Sequence, residues 1–156
     1  MNVHSAQPAA AIDDRSEVTA RPLARILVLF ESTRNGVAAL RAAAELIDAD
    51  SHLTVVTLAP QSLPSRCCGP SVEVLNCAVR ETAERELRAA REILGDAANR
   101  ATFKSLVGTH DPPLAAWAAA QNFDLIVLPS RRLALGGHPF ARRLRRATAA
   151  ELLCVG

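Results

Sequence analysis

Five short segments of strand type, separated by segments with helical spacing, constrain the fold of this chain more than any other feature. They lie at residues 25–30, 53–58, 101–107, 125–128 and 152–155 of the 156-residue chain. The first and fourth are continuous apolar runs, which are typical of strands buried on both faces in a parallel sheet. The alternation predicts an α/β fold, a three-layer open and mainly parallel five-stranded sheet with helices on both faces.

The chain divides into a tail and one domain. Residues 1–22 are rich in Ala, Asp, Ser and Pro without apolar periodicity, which predicts a flexible tail, and we expect residues 23–156 to form a single domain. No run approaches the roughly 18 apolar residues of a membrane span, and the start lacks the pattern of a secretory signal. We therefore expect a cytoplasmic protein that does not associate with membranes.

Charge and aromatic content bear on the partners of the chain. A net charge of +2 is close to neutral and aromatic residues are only 3%, so we expect no nucleic-acid partner. The basic residues are nevertheless unevenly distributed, and a cluster surrounds a Gly-Gly pair. They form either a solvated or partner-binding surface, or an anion site through the first two members. The cluster comprises Arg131, Arg132, Arg142, Arg143, Arg145 and Arg146.

The second helical segment, residues 73–94, is long and amphipathic. Gly95 predicts its end, because glycine is common just after a helix. One stripe of apolar residues predicts the side that faces the core. That stripe contains Leu75, Val79, Ala83, Leu87, Ala90 and Leu94.

Two strand ends are candidates for a binding site. Ligands of parallel sheets bind at the carboxyl ends of strands, where the strand order reverses. The first such end is followed by residues 31–35, which include side chains that can cap a helix. The second is followed by Ser130 and by Gly136-Gly137 ahead of a helix, an arrangement that can present free amides to a phosphate.

The sequence resembles the universal stress protein family from about residue 25 to residue 155. Its ILVLFESTRNGVAAL is similar to the family's I-L-V-A-V-D-G-S-x-x-S-x-x-A-L, and FDLIVLPS is similar to ADLIVMGS. The end, GHPFARRLRRATAAELLCV, resembles G-S-V-A-x-x-V-L-R-x-A-P-C-P-V-L-V-V. The resemblance implies a Rossmann-type fold of the kind shared with adenine-nucleotide hydrolases, commonly dimerised through the last strand. It also implies ATP binding in many members and a regulatory role without established catalysis.

The ATP-binding loop of the family, G-x2-G-x9-G-[ST], is altered here. Its glycines align with Pro129, Arg132 and Gly137, its hydroxyl residue aligns with His138, and four residues replace the nine. Proline has no amide to offer a phosphate, and the arginine side chain blocks the close approach that glycine allows. The family's Asp after the first strand is Glu31 here. We therefore expect family-type ATP binding to be lost or altered, and no required cofactor.

Two functional hypotheses follow from the resemblance. The first is a non-enzymatic stress-response regulator that forms a homodimer through residues 152–155 and binds an unknown protein partner, since an apolar edge strand favours pairing with its copy. The alternative is an ATP or AMP sensor, with adenine near Phe30, Glu31 and Val56. Its phosphates would be held by the loop that contains Arg131, Arg132 and Gly137. The full set of candidate binding residues is Phe30, Glu31, Ser32, Val56, Leu128, Ser130, Arg131, Arg132, Gly136, Gly137 and His138.

Catalytic and metal sites are not expected. His138 near Glu31 or Ser130 resembles a general base with its orienting group, but no nucleophile motif or metal-ligand set accompanies it. We therefore expect no enzymatic activity and assign no catalytic residue or metal ligand. The cysteines have no C-x-x-C spacing and are expected to be reduced, with redox sensing by Cys67 and Cys68 as an alternative.

Overall fold

A computed structural model describes residues 23–61, 71–108, 114–130 and 139–156. The predicted tail, residues 1–22, lies outside these ranges, as do Cys67 and Cys68. The same holds for the arginine and glycine loop at residues 131–138.

The described strands form one parallel sheet. They are β1 (Arg25–Leu29), β2 (His52–Pro60), β3 (Ala101–Gly108), β4 (Leu125–Pro129) and β5 (Glu151–Val155). All neighbouring strands run parallel, in the order β3-β2-β1-β4-β5. The predicted α/β sheet is confirmed. Because the strand order reverses between β1 and β4, the carboxyl ends of these two strands flank the position where such sheets bind ligands.

Four helices within the described ranges cover the two faces of the sheet. They are α1 (Arg34–Glu45), α2 (Val72–Leu94), α3 (Leu114–Gln121) and α4 (Pro139–Ala147), and a 3₁₀ turn follows α2 at Gly95–Arg100. Side chains alternate between faces along each strand, so two core layers result. Ile26, Val28 and Phe30 pack with α1 and α2, whereas Leu27 and Leu29 pack with α3 and α4. Within the described ranges, no helix combines the length and apolar character needed to cross a bilayer.

Caps mark the start of α1 and both ends of α2. Thr33 caps α1, where its Oγ1 accepts a hydrogen bond of 3.0 Å from the Gly36 amide, and Ser71 caps α2. Gly95 ends α2 with φ of 54°, a conformation that glycine adopts readily, and this confirms its predicted role as the helix stop.

The predicted inward stripe of α2 is wrong at its amino-terminal end. Only the later members, Ala83, Leu87, Ala90 and Leu94, are buried. Leu75 is 39% exposed, and Val79 is half-buried. The helix has 23 residues and is therefore about 34 Å long. Its first turns lie beside a cavity at the strand ends instead of covering the core.

Candidate functional site at the carboxyl ends of β1 and β2

The turn after β1 is held firmly against its neighbours. The Phe30 amide donates to the Val56 carbonyl at 2.8 Å, which keeps the end of β1 on β2. The Thr33 amide donates to the Glu31 carbonyl at 2.7 Å. Gly36 lies directly against this turn, because a Cβ at that position would overlap the Glu31 carbonyl oxygen. Because Gly36, in the first turn of α1, has no side chain, the Glu31 carbonyl can lie directly against the helix.

A cavity of about 720 Å³ opens between this turn, the end of β2 and the first half of α2. Its volume lies within the roughly 300–1,000 Å³ typical of small-molecule sites. Most of the wall formed by the described residues is apolar, and their polar side-chain groups are two threonine hydroxyls and two carboxylates. The lining residues are Phe30, Glu31, Thr33, Leu58, Pro60, Leu75, Ala78, Val79, Thr82, Ala83 and Glu86.

Glu86 joins α2 to the turn after β1. One of its carboxylate oxygens, Oε1, accepts a hydrogen bond of 3.3 Å from the Ser32 amide. Burial raises the pKa of Glu86, the Ser32 amide opposes this shift, and the negative charge of Glu31 adds to it. Two carboxylates therefore share one partly desolvated cavity.

Replacing Glu86 with glutamine should raise the melting temperature at neutral pH. The folded pKa of Glu86 lies above its ordinary value of 4.5, so the folded protein loses stability as the pH rises from 4.5 through the folded pKa. Glutamine retains an acceptor for Ser32 and removes the charge. The gain, at most about 1 kcal/mol for a partly exposed group, should disappear below about pH 4.

Thermal melts of both proteins across this pH range measure the difference, with Glu84→Gln as the control on the exposed side of the same helix. A melting temperature of Glu86→Gln that stays below that of the wild type at pH 7 would contradict the assignment.

On the β4 side of the position where the strand order reverses, the end of β4 is joined to α1 and β5 by hydrogen bonds. Asn35 Nδ2 donates to the Ser130 carbonyl at 2.6 Å, and the Ser130 amide donates to the Val155 carbonyl at 2.7 Å. A Cβ at Gly156 would lie 2.5 Å from Ser130 Oγ, so these residues are in close contact. The residue that opens the loop after β4 is thus fixed at both its amide and its carbonyl.

The predicted site residues fall into four groups. Phe30 and Glu31 line the cavity, and the Ser32 amide donates a hydrogen bond to Glu86, which also lines it. Val56 and Leu128 are fully buried in the α3 and α4 layer, on the sheet face opposite to Phe30, so their side chains do not line it. Ser130 lies at the end of β4 beside Asn35. The remaining residues, Arg131, Arg132, Gly136, Gly137 and His138, lie outside the described residues.

Glu86 and Gly36 are among the site residues that sequence reasoning missed. Glu86 lies three residues after Ala83 and four before Ala90, which places a carboxylate on the buried stripe of α2. Charged residues are seldom buried unless something pairs with them, so this position was a usable signal. Gly36 gave no such signal, because glycine is required there only by the close approach of the Glu31 carbonyl, which the sequence does not show.

A second cavity, of about 820 Å³, lies at the opposite edge of the sheet, where the strands begin. Its wall includes residues that follow α3 and α4, namely Asn122, Phe123 and Thr148. Asp124 also lines it, and its Oδ2 already accepts hydrogen bonds from the amides of Ala24 and Arg25, at 3.1 and 2.9 Å. Although this cavity is larger, it lies away from the carboxyl ends of the strands.

Metal-binding and thiol groups add little to the site. Among the described residues, no group of three or more His, Cys, Asp or Glu side chains could hold a metal ion. Cys77 and Cys154 are free and exposed.

Comparison with known proteins identifies relatives of the fold through structure. No protein-family profile matches the sequence. No curated protein matches it either. A protein of the universal stress protein family from Burkholderia pseudomallei is similar, with a TM-score of 0.65 and 25% identity over 85% of this chain and 95% of that one. The universal stress protein UspA from Lactobacillus plantarum gives a TM-score of 0.65 and 17% identity, over 87% of this chain and 99% of that one.

Similar structures include nucleotide complexes, among them a universal stress protein in complex with cAMP, with a TM-score of 0.58 and 17% identity. The universal stress protein from Archaeoglobus fulgidus, in complex with dAMP, gives a TM-score of 0.55 and 18% identity. The match covers 87% of this chain and 100% of that protein. At this identity the similarity concerns the fold, and the ligand belongs to that protein.

Proposed function

Since the chain belongs by its fold to the universal stress protein family, we propose that it is a non-enzymatic regulatory protein that binds a small adenine ligand. The ligand occupies the cavity between the turn after β1, the end of β2 and α2. The observation that carries this proposal is the combination, in one cavity, of an apolar wall with the carboxylates of Glu31 and Glu86. The dAMP complex of a protein with the same fold supports the choice of adenine.

The cavity has the chemistry that an adenosine group requires. A flat, largely apolar base gains free energy when Phe30, Leu75 and Val79 remove it from water. Carboxylates accept hydrogen bonds from neutral donors, such as the ribose hydroxyls or the exocyclic amino group of adenine. Apolar contact therefore supplies affinity, and Glu31 and Glu86 orient the ligand.

Triphosphate binding of the family type is lost or altered in this proposal. Pro129, which stands where the family loop has its first glycine, is a buried residue of β4 and lies beside Val155 of β5 in the register. It offers no amide to a phosphate. A nucleoside or a nucleoside monophosphate is consequently a better ligand than ATP.

The absence of catalysis is part of the same proposal. Among the described residues that line the cavity there is no histidine and no cysteine. Both threonine hydroxyls are engaged with the backbone, since Thr33 Oγ1 accepts the Gly36 amide and Thr82 Oγ1 donates to the Ala78 carbonyl. An activated nucleophile would instead be paired with a base within hydrogen-bond reach. A role in binding and regulation agrees better with these side chains.

A thermal-shift titration with adenosine and AMP tests the proposal. Ligand at a hundredfold excess over its Kd adds about 2.7 kcal/mol of stability, which appears as a saturable rise in melting temperature. Leu75→Gln should abolish the rise, because Leu75 lines the cavity. Val74→Gln should not, because Val74 is 60% exposed and does not line the cavity. No saturable shift with either compound would refute the proposal.

We further propose that the regulator acts as a homodimer paired through β5 and that it contacts a protein partner. In the described sheet β5 is an edge strand that pairs with β4 alone, and its Leu153 is 39% exposed. An apolar edge strand favours pairing with a copy of itself. Sedimentation should give twice the 16.6 kDa chain mass, and a chain that stays monomeric at high concentration would count against it.

A further inference from the structure

We propose that the exposed face of α4 is a docking surface for a carboxylate-rich segment of a protein partner. The inference rests on the proposed contact with a protein partner and adds the surface and the chemistry of that partner. The face carries three exposed arginines, Arg142, Arg145 and Arg146. The structure shows no ion pair or hydrogen bond from their side chains to any described residue. Arg143 is exposed as well and contributes to the positive charge of the helix.

The three arginines lie on one side of α4, away from its buried side. At 3.6 residues per turn, Arg142, Arg145 and Arg146 fall within an arc of about 100° around the helix axis. Leu144 lies opposite and is fully buried, and Ala141 is buried beside it in the α3 and α4 core layer. The core therefore fixes the rotation of the helix, and the arginines extend into solvent.

The charge of this face differs from that of an ordinary solvated helix surface. α4 contains no acidic residue, and its arginines are three and four positions apart, a spacing at which like charges destabilise a helix. On α2, by contrast, Glu81 lies four residues before Arg85, and the same spacing recurs from Glu84 to Arg88. A helix that only has to be soluble tolerates such a mixture of signs. The single sign of α4 therefore indicates an anionic partner.

The neighbouring segments provide little counter-charge for the arginines. α3, which packs against α4, contains no charged residue. β5 contributes one acidic side chain, Glu151, which lies at the amino end of that strand beside the second cavity. The segments outside the described residues contain five arginines and four acidic side chains, so they hold no surplus of negative charge. The counter-charge is therefore expected from a partner.

The spacing of the arginines favours several carboxylates over a single phosphate group. Side chains three and four residues apart on a helix leave Cβ atoms that are about 5–6 Å apart, and they diverge from the helix axis. Each guanidinium group can bind one carboxylate with two parallel hydrogen bonds. A single phosphate would need guanidinium groups that converge on one point. A segment with carboxylates spaced along it fits the diverging set better.

Membranes and nucleic acids fit this face less well than an acidic protein segment. A helix that lies in a membrane interface inserts its apolar side, whereas the apolar side of α4, with Leu144, packs in the core. The chain has a net charge of only +2 and 3% aromatic residues. It therefore lacks the strong positive field and the stacking groups that nucleic-acid binding commonly uses.

Fluorescence anisotropy of a labelled acidic peptide, titrated with the full chain, tests this inference. The probe is a synthetic peptide of alternating Glu and Ala residues, and a peptide of alternating Gln and Ala is its uncharged counterpart. We expect saturable binding of the Glu peptide alone, weakening as salt is added. The triple variant Arg142→Gln, Arg145→Gln and Arg146→Gln should bind it about tenfold more weakly, because each exposed arginine–carboxylate pair contributes a small factor.

A second triple variant provides the matched control. Arg80→Gln, Arg85→Gln and Arg88→Gln remove the same charge from exposed positions of α2 and should change the affinity for the Glu peptide by less than about twofold. Thermal melts verify that both variants are folded. Equal weakening in the two variants overturns the inference, since that result indicates a response to net charge alone.

The remaining outcomes separate the docking surface from the adenine ligand. No saturable binding of the Glu peptide overturns the inference. Tighter binding of duplex DNA, or of phosphatidylserine vesicles, than of the Glu peptide at the same salt also overturns it. The α4 variant should keep the rise in melting temperature with adenosine, so a failed peptide titration leaves adenine binding intact. Peptide binding without any adenosine response refutes the adenine ligand and supports the docking surface.

Discussion

Replacing Phe30 with alanine should lower the free energy of unfolding by about 3–5 kcal/mol, the usual cost of removing a fully buried aromatic side chain. Phe30 is 1% exposed and packs with the α1 and α2 core layer. It also lines the cavity at the end of β1. The same substitution should therefore weaken adenosine binding, because the variant loses an apolar wall as well as core volume.

Urea unfolding of the two proteins measures the difference, provided that the slope of the transition is unchanged. Leu46→Ala is the control, since Leu46 is 40% exposed and should cost less than about 1 kcal/mol. A loss of less than about 1.5 kcal/mol in Phe30→Ala would show that Phe30 does not carry the packing assigned to it.

The second large effect is expected at Gly36. Glycine to alanine inside a helix ordinarily stabilises a protein by up to about 1 kcal/mol. Here the new Cβ would overlap the Glu31 carbonyl oxygen, which is backbone and cannot rotate away. The overlap should outweigh the helix preference, so we expect Gly36→Ala to destabilise by about 1–3 kcal/mol and to displace Glu31.

Gly95→Ala provides a matched comparison for this variant. Gly95 has φ of 54° and ψ of −125°, and a Cβ there would meet no atom within 4 Å. Backbone strain alone should cost about 1–3 kcal/mol, far from the cavity. Both variants should unfold more easily, but Gly36→Ala alone should lose adenosine affinity. Equal affinity in the two variants would mean that the turn after β1 does not place the ligand.

The sheet could be predicted from sequence because its determinants are local. β1 and β4 are short apolar runs, the start of α1 has a local cause in the Thr33 cap, and the end of α2 has one in Gly95. The parallel arrangement follows because strands that alternate with helices have few other topologies. Strand bounds accordingly agree to within about two residues of the prediction.

The site was harder to predict because it depends on which face of the sheet each side chain occupies and on contacts between residues far apart in the sequence. Phe30 and Val56 both lie near the carboxyl ends of their strands, yet their side chains point to opposite faces of the sheet. The contact of Glu86 with Ser32 joins residues 54 positions apart. No local pattern reports such a contact, although a carboxylate on the apolar stripe of α2 hints at it.

The first turns of α2, which extend beyond the core, show how one apolar stripe can serve two purposes. Its apolar stripe is continuous along the helix, and sequence alone predicts one buried face. The core covers only the later turns, from Ala83 to Leu94, and leaves Leu75 and Val79 to line the cavity. An apolar stripe longer than the core it covers is therefore an indication of a binding cavity in a fold of this kind.

The most direct test of the account is to map where adenosine binds, by following backbone amide resonances during a titration. We expect saturable shifts at residues 31–33, at the end of β2 and along the first half of α2, and none in Leu75→Gln. Shifts confined to Asn122, Asp124 and Thr148, which line the cavity at the amino ends of the strands, would place the ligand at the wrong edge of the sheet and contradict the account.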